Sequence, residues 1–259
     1  MQKYFAIFRL SVVHALKNYK ALVGLSIFLI TCLIIFAHLW KIAAARKGIV
    51  AYSPDQLLWY IAFKEWVLIA VPDVHDAMEL DLRSGALAYR LPRPISYLGS
   101  IFMESLGTLT VNLLFLGAVT VLFTYLQVGM LPFEPMGLWV TLLFGFAAGI
   151  IAILFRMIIG VTAFWLQTAD PFFWIWEKLL FMLGGLMLPL TVYPQWIQKI
   201  AHLTPFPVIL GERSALALDF NLQHVLTLGG SILLWGGIGV LCLWALYHRG
   251  LRILNVEGG

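Results

Sequence analysis

Long apolar runs broken by short polar stretches set the pattern of this chain. Residues 21–40, 98–127, 138–164 and 225–247 are almost free of charge, and each is about long enough for a bilayer, which needs roughly 20 mostly apolar residues. Residues 56–71 and 172–190 are shorter runs of the same kind. Together they predict an all-α polytopic membrane protein with about six transmembrane helices, 1–259 forming a single domain. The run 56–71 is irregular because it contains Lys64 and Glu65 and is broken by Pro72. Charges at that depth are costly, so its neighbours must shield it or it must only dip into the bilayer. Ahead of the first run, residues 1–20 predict an amphipathic helix with Tyr4, Phe5, Phe8, Val12 and Leu16 near one face and Lys3, Lys17 and Lys20 elsewhere. Such a helix suits a membrane interface, its basic side toward anionic headgroups. The interrupting charges, Arg9 among them, speak against a cleavable signal peptide.

Two polar stretches carry their own periodicity. In 76–91, Asp76 reads as an N-cap with Glu79 three residues on, as in a capping box. A continuous helix from there puts Glu79, Arg83, Ala86 and Arg90 on one face and Leu80, Ser84, Leu87 and Leu91 on the next. Gly85 weakens its middle, and Pro92 and Pro94 end it. Taken alone, this stretch fits a solvated loop as well as a partner-binding helix. In 191–218, Trp196, Ile197, Ile200 and Leu203 make an apolar face opposed by Gln195, Gln198, Lys199 and His202, between Pro194 and Pro205. This helix is expected to lie in the outer interface or to re-enter the bilayer.

Composition narrows the classes. The chain is 61% hydrophobic and 12% charged, with a mean hydropathy of +0.91. Soluble domains have roughly 45–50% apolar and about 25% charged residues, so a soluble fold would lack the polar residues to cover itself. The net charge of +4 matters less than where the cations fall. Six crossings put both termini on one side with Lys3, Arg9, Lys17, Lys20, Arg83, Arg90, Arg93, Arg249 and Arg252, outnumbering Lys41, Arg46, Lys47, Lys199 and Arg213 opposite. That bias places both termini in the cytoplasm, with the chain in the cell membrane. Cys32 and Cys242 lie in apolar runs without metal-ligand spacing, and the histidines form no zinc motif. The chain has no phosphate loop and no nucleophile elbow, so no catalytic residue, metal or bound cofactor is expected, and no nucleic acid partner. Glu104 and Arg156 lie roughly 10–18 Å inside their runs, counted at the helical rise. They are expected to face the bundle interior and pair, or to contact a charged cargo group.

The run LRSGALAYRLPRPISY, with Arg83, Ser84, Gly85, Arg93 and Pro94, resembles the cytoplasmic segment of ABC-2 type transporter permeases, especially the bacterial ABC-2 family transporter proteins. The stretch 184–210 is similar to the same group through Pro189, Leu190, Pro194, Trp196, Pro205 and Phe206. The resemblance implies the membrane subunit of an ABC exporter, in which 76–91 is a coupling helix and 191–218 an extracellular re-entrant segment. The coupling residues would be Asp76, Glu79, Leu80, Arg83, Leu87 and Arg90. It also implies two copies of a separate ABC ATPase subunit that bind ATP and Mg, and a second permease, identical or homologous. The cargo would be hydrophobic or amphipathic; the aromatic residues suit that, and equally suit packing against lipid. A secondary transporter or channel without an ATPase is the alternative. An intramembrane enzyme would need clustered catalytic side chains, and the sequence has none.

Overall fold

The computed structural model describes residues 2–44, 53–131, 135–186, 189–218 and 220–257. Arg46, Lys47 and Pro132 lie outside the described residues. Helices account for nearly all of the described chain, and no strand occurs among those residues. In order they are α1 (Gln2–Lys17), α2 (Tyr19–Ala44), α3 (Pro54–Ala70), α4 (Val74–Arg83), α5 (Ala86–Arg90), α6 (Tyr97–Val128), α7 (Pro135–Leu166), α8 (Asp170–Leu183), α9 (Gln195–His202), α10 (Glu212–Leu218) and α11 (Leu222–Glu257).

Among the described residues, 4 helical stretches are long and apolar enough to cross a membrane: Tyr19–Leu39, Tyr97–Val128, Met136–Leu166 and Leu222–Ile253. The two short runs form shorter helices. α8 has 14 residues, about 21 Å at the helical rise against a hydrocarbon core of about 30 Å. It ends at Gly184, and Gly185 turns the chain with φ 65°, a conformation L side chains resist. The run expected to continue to residue 190 is therefore a helix of about two-thirds of a crossing, followed by a turn.

α3 is the buried centre of the bundle. Ser53 and Gln56 form a reciprocal capping box and Pro54 takes the first turn, so the helix starts sharply. Trp59, Ile61, Ala62, Phe63 and Val67 are fully enclosed. Apolar side chains ring the helix, as expected for one covered on all sides. α2 covers it with Leu29 and Leu33, while Leu22 of the same helix packs with Ala15 of α1 and Val111 of α6. α6, α7 and α10 close the other sides. Trp66 Nε1 donates to the Leu113 carbonyl at 2.8 Å, and Asn112 Nδ2 donates to the Ala70 carbonyl at 3.0 Å.

Shielding also resolves the charges in this helix. Lys64 is fully buried, donates to the Gly185 carbonyl and lies 3.6 Å from the Tyr60 ring centroid. It meets the C-terminal end of α8, where the helix dipole is negative and carbonyls lack intrahelical partners. The break in α8 thus supplies an acceptor for the cation of α3. Arg213, expected in an outer connection, is instead fully buried on α10, with Nε donating to the Ile209 carbonyl at 3.2 Å.

α1 packs along α6 rather than standing apart. Its seam is Tyr4, Phe8, Ser11, Val12 and Ala15, whereas Phe5 and Leu16, expected on the same face, point outward. Ser11 Oγ donates to the Glu104 carbonyl, and the Ser96 amide donates to Tyr4 Oη at 3.1 Å. Gly107 permits the approach: a Cβ there would lie 2.8 Å from the Phe8 carbonyl oxygen and 2.7 Å from Ser11 Cβ. Backbone cannot yield as a side-chain tip can. Gly107→Leu should detach α1 and destabilise the chain by about 1–3 kcal/mol, the usual range for overpacking. Hydrogen exchange should rise over residues 2–17 and remain native in α3; unchanged protection of α1 would contradict this packing.

Candidate functional site

The segment joining α3 to α6 is held on the end of the bundle by its acidic side chains. Pro72 ends α3, and α4 begins at Val74, so the N-cap is Asp73 and not Asp76. Asp73 makes no side-chain capping bond because its carboxylate faces Arg156 Nη1 at 2.8 Å. The same nitrogen donates to the Val71 carbonyl at 2.8 Å and the Pro72 carbonyl at 3.0 Å. Arg156 thus serves carbonyls that the end of α3 leaves without intrahelical partners. The proline-acid step just before Val74 was the sequence signal for this cap.

The expected pairing of Arg156 with Glu104 does not form. Glu104 stands on the opposite side of the segment, with its side chain 55% exposed and 3.9 Å from Arg90. The depth count gave both residues similar heights but could not give the rotation of α6 and α7 about their axes. The α6 carboxylate faces outward, while the α7 guanidinium turns under the α3–α4 corner.

α4 lies across α7 at Gly160, where a Cβ would come 2.9 Å from Met78 Sδ and 3.2 Å from His75 Cα. Met78 is fully buried there. Glu79 points inward: one carboxylate oxygen accepts from the Ala169 amide at 2.7 Å and faces Thr168 Oγ1 at 3.3 Å. The other lies 3.1 Å from Arg83 Nε, the i,i+4 pair expected from the sequence. Arg83 also donates to the Gln167 carbonyl at 3.1 Å. Asp81, which the sequence pattern left unmarked, pairs with Arg90 at 3.0 Å and accepts from Tyr97 Oη at 3.1 Å.

Gly85 divides the stretch. Its φ of 72° starts a new direction, so α4 and α5 are two helices rather than one over 76–91. The predicted faces break with it. Leu80 is exposed while Leu87 is buried, although a single helix would put both on one stripe. The outward surface consists of Leu80, Arg83, Tyr89, Leu91 and Arg93, and Tyr89 is 79% exposed. Asp76 is also exposed and Arg90 half-buried, while Glu79 and Leu87 hold the segment down.

His75, Asp76 and Asp170 bring one potential metal-ligating atom each to within 4.8 Å of one another. His75 Nε2 lies 3.1 Å from Asp76, and its ring stacks on Phe173 at 3.7 Å. Arg156 adds a cation nearby. Burial lowers the imidazole pKa, partly opposed by Asp76. Partial burial raises the Asp76 carboxyl, opposed by His75. The group sits between α4 and α8, joined by the stack of His75 on Phe173.

At the other end, the 184–210 residues divide in the same way. Pro189, Pro205 and Phe206 turn into the bundle, and Phe206 packs on Trp176 at 4.8 Å. Pro194 and Trp196 face outward. α9 forms as expected, with Trp196, Ile200 and Leu203 exposed and Ala201 as its buried contact.

Arg156→Leu should orphan the Val71 carbonyl, the Pro72 carbonyl keeping the Val74 amide, and lower stability by on the order of 1–3 kcal/mol, the cost of an unsatisfied buried acceptor. Glu104→Gln should change it by less than about 0.5 kcal/mol, as surface substitutions do. Thermal melts in detergent compare the two, and equal losses would contradict the assignment. Gly85→Ala has steric room but not the dihedral, so it should cost about 1–2 kcal/mol. Proteolysis between α4 and α5 should reveal the loosening.

Comparison with known proteins gives one family. The family model for ABC-2 family transporter proteins matches residues 29–211, which include α3 to α9 and the whole α4–α5 corner. No curated protein matches the chain. With more than half of its length matched, the chain belongs to the ABC-2 family transporter proteins and is a multi-pass membrane permease of the ABC transporter class.

Proposed function

We propose that this chain is the membrane half of an ATP-driven exporter, and that the α4–Gly85–α5 corner is where a separate ABC ATPase pushes on it. The observation that carries this reading is how the corner is sorted. Two of its acidic residues, Glu79 and Asp81, are consumed in holding it to the bundle, and the third, Asp76, is exposed beside His75. Its outward face offers Leu80, Tyr89 and Leu91 beside Arg83 and Arg93. Apolar and aromatic anchors rimmed by cations are the composition of a docking surface. A solvated loop has no reason to be locked by so many bonds. Family membership supports the ATPase partner in general terms.

In the full arrangement, two permeases, identical or homologous, assemble with two ATPase subunits that bind ATP and Mg. Closure of the ATPase pair moves the corner, and Arg156 passes that motion to α7, so that α4, α5 and α7 shift as one body. α3, and the short α8 together with the stretch that follows it, complete six crossings, with both termini on the ATPase side of the cell membrane. α1 then lies along the cytoplasmic interface with Lys3, Arg9 and Lys17 toward the headgroups. The 191–218 stretch caps the outer end. Export of a hydrophobic or amphipathic cargo fits this geometry.

Copurification from native membranes tests the docking. The double variant Leu80→Asp/Tyr89→Asp should lower recovered ATPase at least fivefold, whereas Trp196→Ala at the far end should leave it unchanged. Undiminished ATPase recovery with the double variant would reject the corner as the docking site.

A further inference from the structure

A cavity of about 560 Å³ lies between the first half of α11 and the stretch from Pro189 to Leu216. Its α11 wall is formed by His224, Thr227, Leu228, Ser231 and Trp235, the inner face of three successive turns. From His224 to Trp235 the helix rises about 16 Å, half of a hydrocarbon core of about 30 Å. Trp235 lies near the middle of the candidate span Leu222–Ile253, and His224 lies at its mouth. The cavity therefore has the depth of one leaflet.

Its chemistry changes along that depth. Gln198, His202, Glu212 and His224 line the outer end, whereas Val208, Leu228 and Trp235 line deeper walls. Glu212 is the one acidic residue in the lining. Its carboxylate lies 3.2 Å from His202 Nδ1 yet keeps about a third of its surface open. One oxygen is thus free to accept from a further donor. α11 packs closely on α7 but only sparsely on α10, so no side chain fills the gap.

We propose that this cavity holds one lipid of the leaflet remote from the α4–α5 corner, with an ammonium headgroup on Glu212 and an acyl chain running down α11 to Trp235. A primary ammonium matches the carboxylate in charge and hydrogen bonding. The His202 and His224 side chains can donate to the lipid phosphate. The apolar floor takes the chain that would otherwise lie against bulk lipid. The site requires α11 to cross the bilayer but does not require an ATPase to drive the chain, so it stands or falls apart from the docking assignment.

Native mass spectrometry of the full chain in detergent tests it, with palmitoyl-oleoyl phosphatidylethanolamine and phosphatidylglycerol as probes. The chain should retain the ethanolamine lipid at least fivefold better than the glycerol lipid. Glu212→Gln should bring the two within twofold, and Glu104→Gln, an acid at the other end, should leave the preference intact. Thr227→Trp and Ser231→Trp, each checked for native helicity and melting, should block retention of both lipids. Glycerophosphoethanolamine, which lacks acyl chains, should not compete. Equal retention of the two lipids by the parent chain would overturn the proposal. So would a preference that survives Glu212→Gln, or competition by the chain-free headgroup, which would mark a site for soluble amines instead.

Discussion

The guanidinium of Arg156 is the contact on which the end of the bundle depends. Proline at 72 stops α3 and leaves its last carbonyls without intrahelical donors. The Val71 carbonyl among them is buried and needs a partner. Arg156 reaches up from α7, bonds the carbonyls of Val71 and Pro72, and pairs with Asp73. One side chain thereby ends one helix, starts the next and ties both to a third. The His75–Phe173 stack and the Glu79 bonds to residues 168 and 169 extend the same attachment toward α8.

The same logic recurs at the second helix break. Gly185 opens the chain after α8, and Lys64 from the central helix takes its carbonyl. At both places an interior cation sits where a helix end exposes oxygen. These charges are structural in the strict sense that each satisfies backbone that a broken helix leaves bare. Breaks of this kind are tolerated within a membrane only against protein or a watery cavity; protein surrounds the one at Gly185, while the Pro72–Asp73 corner reaches the surface of the bundle.

Much of this was legible in the residues. The four long apolar runs became the four long helices, the first three to within about two residues at each end, while the last, expected over 225–247, runs from Leu222 to Ile253. The Glu79–Arg83 pair followed from spacing alone. The family followed from the Arg-Ser-Gly run and the later Pro-x-Trp pattern. What escaped depended on rotation and on long-range partners. Heptad counting cannot see that Leu87 turns inward once Gly85 bends the chain, nor that Asp81 meets Arg90 and Tyr97. Hydropathy reads 172–190 as one run because a Gly-Gly turn barely lowers the average. Arg213 counts as a loop cation until α10 folds it against α3.

The claim that Arg156 makes α4, α5 and α7 one mechanical body can be measured by pulsed spin-label distances. With Cys32 and Cys242 replaced by serine, labels go at Ala88→Cys on α5, which is exposed and outside the docking residues, and at Leu143→Cys on α7, also exposed. Distances are taken in the assembled transporter, nucleotide-free and with ATP trapped on the ATPase. The distribution should be narrow and the same in both states, and should broaden when Arg156→Leu is added. A distance that shifts with nucleotide in the parent chain, or a width indifferent to Arg156, would contradict a rigid link between the docking corner and the membrane helices.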